Sequence, residues 1–420
     1  MRYSTESFAR ALALATLLAC AGRAVPAQTV APRMRAVQEL RIDGVREDLS
    51  VITDVAVSRT GHIALAQPQD GNVVVYSPEG GRIGVVGRTG AGPGEFGDAR
   101  RLPLGWLADT LWTYDASLRR FSLFINTTFI DSWMLPDAAT GASQRVQAVR
   151  PGGRSTAPAP EIQYGPRVLT GMYPEALHAN RDIVGVANYG IMQPMDVGED
   201  LGAHLARVPA GGGAPVRIAD VPPDDYMVSV RRPGSMTSVA VPFLHPEVRH
   251  VGPEGRHAVF VRIPPLTRDA NAFHVISIGA DGDTVFSRSI PFTGERVPGQ
   301  LSSAAVEQDV ARLRRTLSPE NVRQLESLMR ARLPDVYAPV ERVRVGRDGA
   351  VWVELRDTNE GTPLLGLDAT GNPFAMIVLP AGARVAAVSR THVWMIERDA
   401  DDIQSLVRYR VVQNPGRGEQ

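Results

Sequence analysis

The chain is predicted to be all-β, built from one four-stranded antiparallel meander repeated around a ring. Two observations predict this. First, Val51 to Gly87 reads VITDVAVS, RTG, HIALAQ, PQDGN, VVVYS, PEGG, RIGVVG, which is four short strands of alternating apolar residues separated by turn sequences. Second, the same unit recurs to the C-terminus, and a tandem meander of about 40 residues is the signature of a β-propeller blade.

The units follow in order. After the first comes GRTGAGPGEF, Gly87 to Phe96, too rich in glycine for a strand interior and therefore a crossing between blades. It lacks the Lys and Ser/Thr of a phosphate-binding loop, and no helix follows it. The second unit is LADTLWTYD, RFSLFI and FIDSWMLP; the third, less regular, is VLTGMYPEALHAN, DIVGVANYG, HLARVPAGGG and APVRIADVP. The fourth is PEVRHVGPEG, RHAVFVRIPP, AFHVISIGADG and DTVFSRSIPF, and the fifth APVERVRVGRDG, AVWVELRD, PLLGLDATGN and PFAMIVLPAG. The sixth, RVAAVSRT, HVWMIERDADD and QSLVRYRVV, has three strands. AVQELRIDG, Ala36 to Gly44, supplies the fourth and closes the ring, removing the sheet edges that would seed aggregation. The expected fold is a six-bladed β-propeller; a further degenerate unit could hide in residues 137–170, which are rich in Gly, Pro and Arg.

One segment breaks the β pattern. Val306, Val310, Leu313 and Leu317 recur at helical spacing, and after Ser318-Pro319 a second run places Val322, Leu325 and Met329 on one face. Serine at the N-cap with proline at the first helical position marks a helix start. A helical hairpin inserted at about residues 302–333 follows, its apolar stripe packing on the propeller and Arg312, Arg315, Arg323 and Arg330 facing water. As a lid or docking arm, those arginines would meet an anionic partner.

Charge balance limits the function. The 420 residues carry 45 basic and 45 acidic side chains, and every basic one is Arg. A neutral chain without a basic face argues against nucleic acid as partner. The absence of lysine excludes Schiff-base chemistry. No HExxH and no GxSxG occurs, which removes the common zinc-peptidase and serine-hydrolase signatures.

The N-terminus carries Arg2 and Arg10, the apolar run Ala11 to Ala19, and Val25-Pro26-Ala27. This is the layout of an export signal, with an apolar run too short to stay as a membrane helix. Cleavage after Ala27 gives a soluble periplasmic or secreted protein. The competing reading is a lipobox, Leu17-Leu18-Ala19-Cys20, with membrane attachment through a lipid on Cys20. Cys20 is the sole cysteine, so the exported fold has no intramolecular disulfide. The expected layout is a signal at 1–27, a linker at 28–35, the propeller at 36–413 and a tail at 414–420, in a monomer.

Aligned on their first turns, Pro174-Glu175-Ala176-Leu177-His178, Pro246-Glu247-Val248-Arg249-His250 and Val340-Glu341-Arg342-Val343-Arg344 superpose. Glu175, Glu247 and Glu341 then share one position, and His178, His250 and Arg344 another. Innermost strands line the channel of a propeller. Three converging carboxylates could hold calcium, while paired imidazoles could hold zinc or exchange protons. Strand alternation puts positions i and i+3 on opposite faces, so both sets need not face one cavity. A structural reading pairs each Glu with a neighbouring Arg. His62, His257, His274 and His392 share no spacing. Asp109, Asp115, Asp281, Asp283 and Asp368 fall in turns, and Trp112, Trp352 and Trp394 sit at one repeated place that marks inter-blade core.

GAGPGEF following VVVYS, with DTLWTYD and GRDGAVWVE in later units, resembles the bacterial exported six-bladed β-propeller proteins related to NHL repeats. The resemblance extends over residues 36–413 and is most specific at 70–125 and 339–412. It implies export and a toroidal scaffold, and no single activity, since relatives include binding modules, lactonase-like hydrolases and amidating lyases. The expected function is therefore a scaffold binding a protein or small-molecule ligand at the channel mouth. The alternative is a metal-assisted, lactonase-like hydrolase or lyase using the same carboxylates and histidines.

Overall fold

The computed structural model describes residues 31–97, 101–135, 168–190, 203–211, 215–221, 226–232, 235–245 and 248–414. The expected export signal with Cys20, the segment 136–167, Glu247 and the tail from 415 lie outside the described residues.

Six four-stranded antiparallel sheets are arranged as the blades of a propeller. Blade 1 runs Asp54–Val57, Ile63–Gln67, Asn72–Tyr76 and Arg82–Val86; blade 2 runs Leu104–Leu107, Thr110–Asp115, Arg120–Ile125 and Thr128–Met134. Blade 3 is Val168–Leu177, Ile183–Gly190, His204–Val208 and Val216–Asp220; blade 4 is Val248–Val251, His257–Arg262, Ala272–Gly279 and Thr284–Pro291. Blade 5 is Val340–Val345, Val351–Leu355, Thr362–Leu367 and Pro373–Leu379. Blade 6 takes Arg384–Val388, His392–Arg398 and Gln404–Gln413 from the C-terminus, and its outermost strand, Met34–Ile42, from the N-terminus. That closing strand pairs antiparallel from Met34 opposite Gln413 to Ile42 opposite Leu406. Arg41 ties it to Glu397 at 2.8 Å.

Alternation in the strands puts apolar side chains between blades. Trp112, Trp352 and Trp394 are all buried there, at 2%, 0% and 8% exposure. Trp352 also donates its indole N–H to the Ser389 carbonyl at 2.8 Å, joining blade 5 to blade 6. A net hydrogen bond contributes about 1 kcal/mol, against roughly 2–3 kcal/mol for burying so large a ring, so packing dominates this joint. Trp106 makes the matching bond from blade 2 to the Ala56 carbonyl of blade 1 at 3.2 Å.

The glycine-rich crossing folds around Phe96, which is 1% exposed. Gly87 lies at φ +78°, and a Cβ there would fall 2.0 Å from the Phe96 ring. Arg120 binds the loop's Ala91, Gly92 and Glu95 carbonyls at 3.0, 2.7 and 2.8 Å. Two of the turn aspartates are likewise spent on backbone: Asp115 Oδ1 accepts the Ser117 and Leu118 amides, and Asp368 Oδ1 those of Thr370 and Asn372.

Two insertions stand together beside the ring. The helices are α1, Gly299–Leu313, and α2, Pro319–Ala331, and the Ser318 hydroxyl accepts the Asn321 amide of α2 at 3.4 Å. Between blades 3 and 4 a β-hairpin, Met227–Arg232 with Ser235–Ala240, forms its own two-stranded sheet. Val306, Val310 and Leu313 of α1 and Val322, Leu325 and Met329 of α2 cluster with Val228, Val230 and Val239 of that hairpin. The helical stripe thus buries itself on the hairpin, where the sequence pointed to the blades.

Candidate functional site

The innermost strands surround a central cavity of about 990 Å³. Its composition follows from one position per blade, the residue two before the first turn. Hydrogen-bonded turns begin at Ser58, His178, Gly252, Gly346 and Ser389, and the blade 2 hairpin closes at Leu107 opposite Thr110. Counting back gives Ala56, Gly105, Ala176, His250, Arg344 and Ala387, and all six line the cavity. The residues that follow them are Val57, Trp106, Leu177, Val251, Val345 and Val388, apolar in every blade. Three alanines make the space. Gly105 adds to it, the other two positions furnish an imidazole and a guanidinium, and Trp106, one residue on from Gly105, also lines the cavity.

This register corrects the sequence alignment. His250 and Arg344 are equivalent in neighbouring blades, whereas His178 begins its turn and stands two residues further on. His178 is not among the cavity-lining residues. Glu175 and Glu341 do not share a position either. Each is stepped over by a bulge in its own strand, between Pro174 and Ala176 in blade 3 and between Val340 and Arg342 in blade 5. Glu175 reaches the cavity lining and Glu341 does not. A bulge adds a residue without changing the apolar pattern around it, so sequence alignment slips there.

Most charges around the channel are matched. Glu175 pairs with Arg249 across the blade 3 to blade 4 seam at 2.6 Å. Arg342 bonds Glu354 at 3.1 Å, and Arg384 donates to the Ile52 and Thr53 carbonyls at 2.8 and 3.2 Å. At the mouth Glu254, 6% exposed and at φ +62°, is held by Arg347, by Arg256 at 2.8 Å and by Arg59 at 3.8 Å. Arg344 differs. Its Nε is shut from water with no hydrogen-bond partner, and among the described residues its guanidinium meets other charges only at long range.

Electrostatics fixes the protonation of the neighbours. Val345 donates its amide to His250 Nδ1 at 3.1 Å, so a neutral ring carries its proton on Nε2. Burial, reinforced by Arg344 and then Arg249, holds the His250 pKa well below the ordinary histidine value. Burial pushes the Asp54 carboxyl up, against the pull of the Val55 amide, Arg344 and Arg384. The Arg344 cation is itself disfavoured by burial, with Asp54 its largest electrostatic support.

Calcium or zinc needs a cage of donors. No group of three or more His, Cys, Asp and Glu side chains able to hold a metal occurs among the described residues. Of the proposed carboxylates, Glu175 is engaged by Arg249 and Glu341 lies off the cavity. Sequence reasoning missed Asp54, Trp106 and the three alanines; an alignment on turn position would have placed the alanines at the level of His250 and Arg344.

Fold and cavity together define a six-bladed propeller with a central hollow of ligand size. No family model matches the chain, and no curated protein does. Among solved structures it is similar to a member of the DUF4221 family from Bacteroides vulgatus (11% identity, 91% of this chain and 99% of that one, TM-score 0.45). It is similar also to a gluconolactonase from Xanthomonas campestris (10%, 92% and 99%, 0.39) and to BamB from Moraxella catarrhalis (10%, 86% and 86%, 0.31). These likenesses concern the fold alone.

Proposed function

We propose that this chain is an exported, monomeric propeller scaffold that holds a small-molecule ligand in its central cavity. The supporting observation is Arg344, a cation on the wall of a hollow of about 990 Å³ with no hydrogen-bond or ion-pair partner among the described residues. Small-molecule sites occupy roughly 300–1,000 Å³, mostly apolar with a few convergent polar groups, and this cavity fits that description. Export rests on the N-terminal signal pattern; among the described residues no helix is long and apolar enough to cross a membrane. The metal-assisted alternative required Glu175, Glu247 and Glu341 to converge, and the different placements of Glu175 and Glu341 weigh against it.

The test is a thermal-denaturation screen of small metabolites on the wild type and on Ala387→Trp, which fills the cavity from a half-buried wall position. A ligand present at a hundred times its Kd adds about 2.7 kcal/mol of stability. A hit should raise the wild-type midpoint and leave Ala387→Trp unmoved. Hits that shift both proteins equally place the ligand elsewhere and refute the reading.

A further inference from the structure

Resting on the cavity reading above, we infer that the ligand is a small organic monocarboxylate with an apolar body and a second group that donates a hydrogen bond. Its carboxylate lies on Arg344 and His250, and its donor on Asp54.

Arg344 and His250 occupy equivalent positions on adjacent innermost strands, one on blade 5 and the other on blade 4. His250 Nδ1 is already an acceptor for the Val345 amide, which leaves Nε2–H as a donor. Two donors side by side, one of them a forked guanidinium, suit the two oxygens of a carboxylate. Arg249, Arg342, Arg347 and Arg384 sit close by, yet each is already bonded to a side chain or a backbone carbonyl. Among the described residues Arg344 is then the one guanidinium of the inner strands left without a hydrogen-bond or ion-pair partner; Arg101, exposed, also lines the cavity.

Asp54 opposes a second charge. It lines the same cavity from blade 1, its Oδ1 accepts the Val55 amide at 2.9 Å, and it makes no ion pair among the described residues. Arg344 and Asp54 attract each other without pairing, so the cavity holds a cation and a carboxylate that are both without an ion pair among the described residues. A dianion such as a phosphate ester would set its second charge against Asp54. A ligand carrying a carboxylate on Arg344 and His250 and a hydroxyl or ammonium within reach of Asp54 satisfies both groups. Ala56, Ala176, Ala387 and the Trp106 ring form the apolar wall for the rest of it.

Isothermal titration of the purified protein with three probes tests this: mandelate, which has carboxylate, hydroxyl and apolar ring; phenylacetate, which lacks the hydroxyl; and mandelamide, which lacks the charge. Charge-assisted hydrogen bonds are about twice as strong as neutral ones, so mandelate should bind roughly tenfold or more tighter than mandelamide. Arg344→Met and Arg344→Gln should erase that preference while keeping or raising the thermal midpoint. Asp54→Asn should reduce the advantage of mandelate over phenylacetate. Equal binding of mandelate and mandelamide, or a preference that survives Arg344→Met, overturns the assignment, as does no mandelate binding at millimolar concentration. If both probes bind equally and Ala387→Trp abolishes both, the carboxylate assignment falls and the cavity reading stands. If Ala387→Trp leaves binding intact, the cavity reading falls with it.

Discussion

His250 shows how much a single position decides. Its ring is held neutral by burial and by two arginines, while in the unfolded chain it protonates below about pH 6.5. Between that pH and its lower folded pKa the unfolded state binds more protons, so this group's contribution to stability falls as pH drops through 6.5. The slope is at most about 1.4 kcal/mol per pH unit. Denaturant titrations at pH 7.0 and 5.5 should show a smaller acid loss for His250→Asn than for the wild type; carboxylate contributions common to both cancel in the comparison. Equal losses would mean that His250 is not buried in the neutral form. The sequence singled out His250 and Arg344 correctly as partners in neighbouring blades, because PEVRHVG and VERVRVG end in the same turn. It added His178 wrongly, since PEALH looks like PEVRH while its turn opens two residues earlier relative to the histidine. The bulges at Glu175 and Glu341 were not legible at all: a skipped residue leaves no mark in the apolar alternation.

Among the elements, the helices were readable and the hairpin that receives them was passed over. Helical spacing and the Ser318-Pro319 start signal announced α1 and α2 within a few residues. The hairpin of 227–240 carries its own signal, Val228 and Val230 alternating before an Arg-Arg-Pro-Gly-Ser tip and Val239 and Val241 after it. It was obscured by the irregular composition around blade 3. Because the helical stripe packs on this hairpin, the two insertions share one core apart from the inter-blade clusters. Leu325 is fully buried at its centre. Leu325→Ala should therefore cost about 3 kcal/mol within that unit, in the usual range for a buried leucine. Hydrogen exchange should quicken at 227–240 and 299–331 while the innermost blade strands stay protected. Faster exchange spread evenly over the blades would show that the insertions and the ring are one cooperative unit.

For the whole molecule, ring closure was visible as arithmetic: a last unit with three strands and a spare strand at the start. The structure places that spare strand at the outer edge of blade 6. The cavity was not visible in the same way, because it depends on six residues far apart in sequence sharing one level. Once the turns fix that level, Ala56, Gly105, Ala176 and Ala387 leave the space and Arg344 and His250 give it chemistry. The most direct test of this account is the electron density of a crystal of the protein soaked with mandelate. The account predicts a carboxylate inside the ring within about 3 Å of both the Arg344 guanidinium and His250 Nε2. Density for mandelate at the Arg59, Arg256 and Arg347 mouth, on a blade edge or nowhere would contradict it.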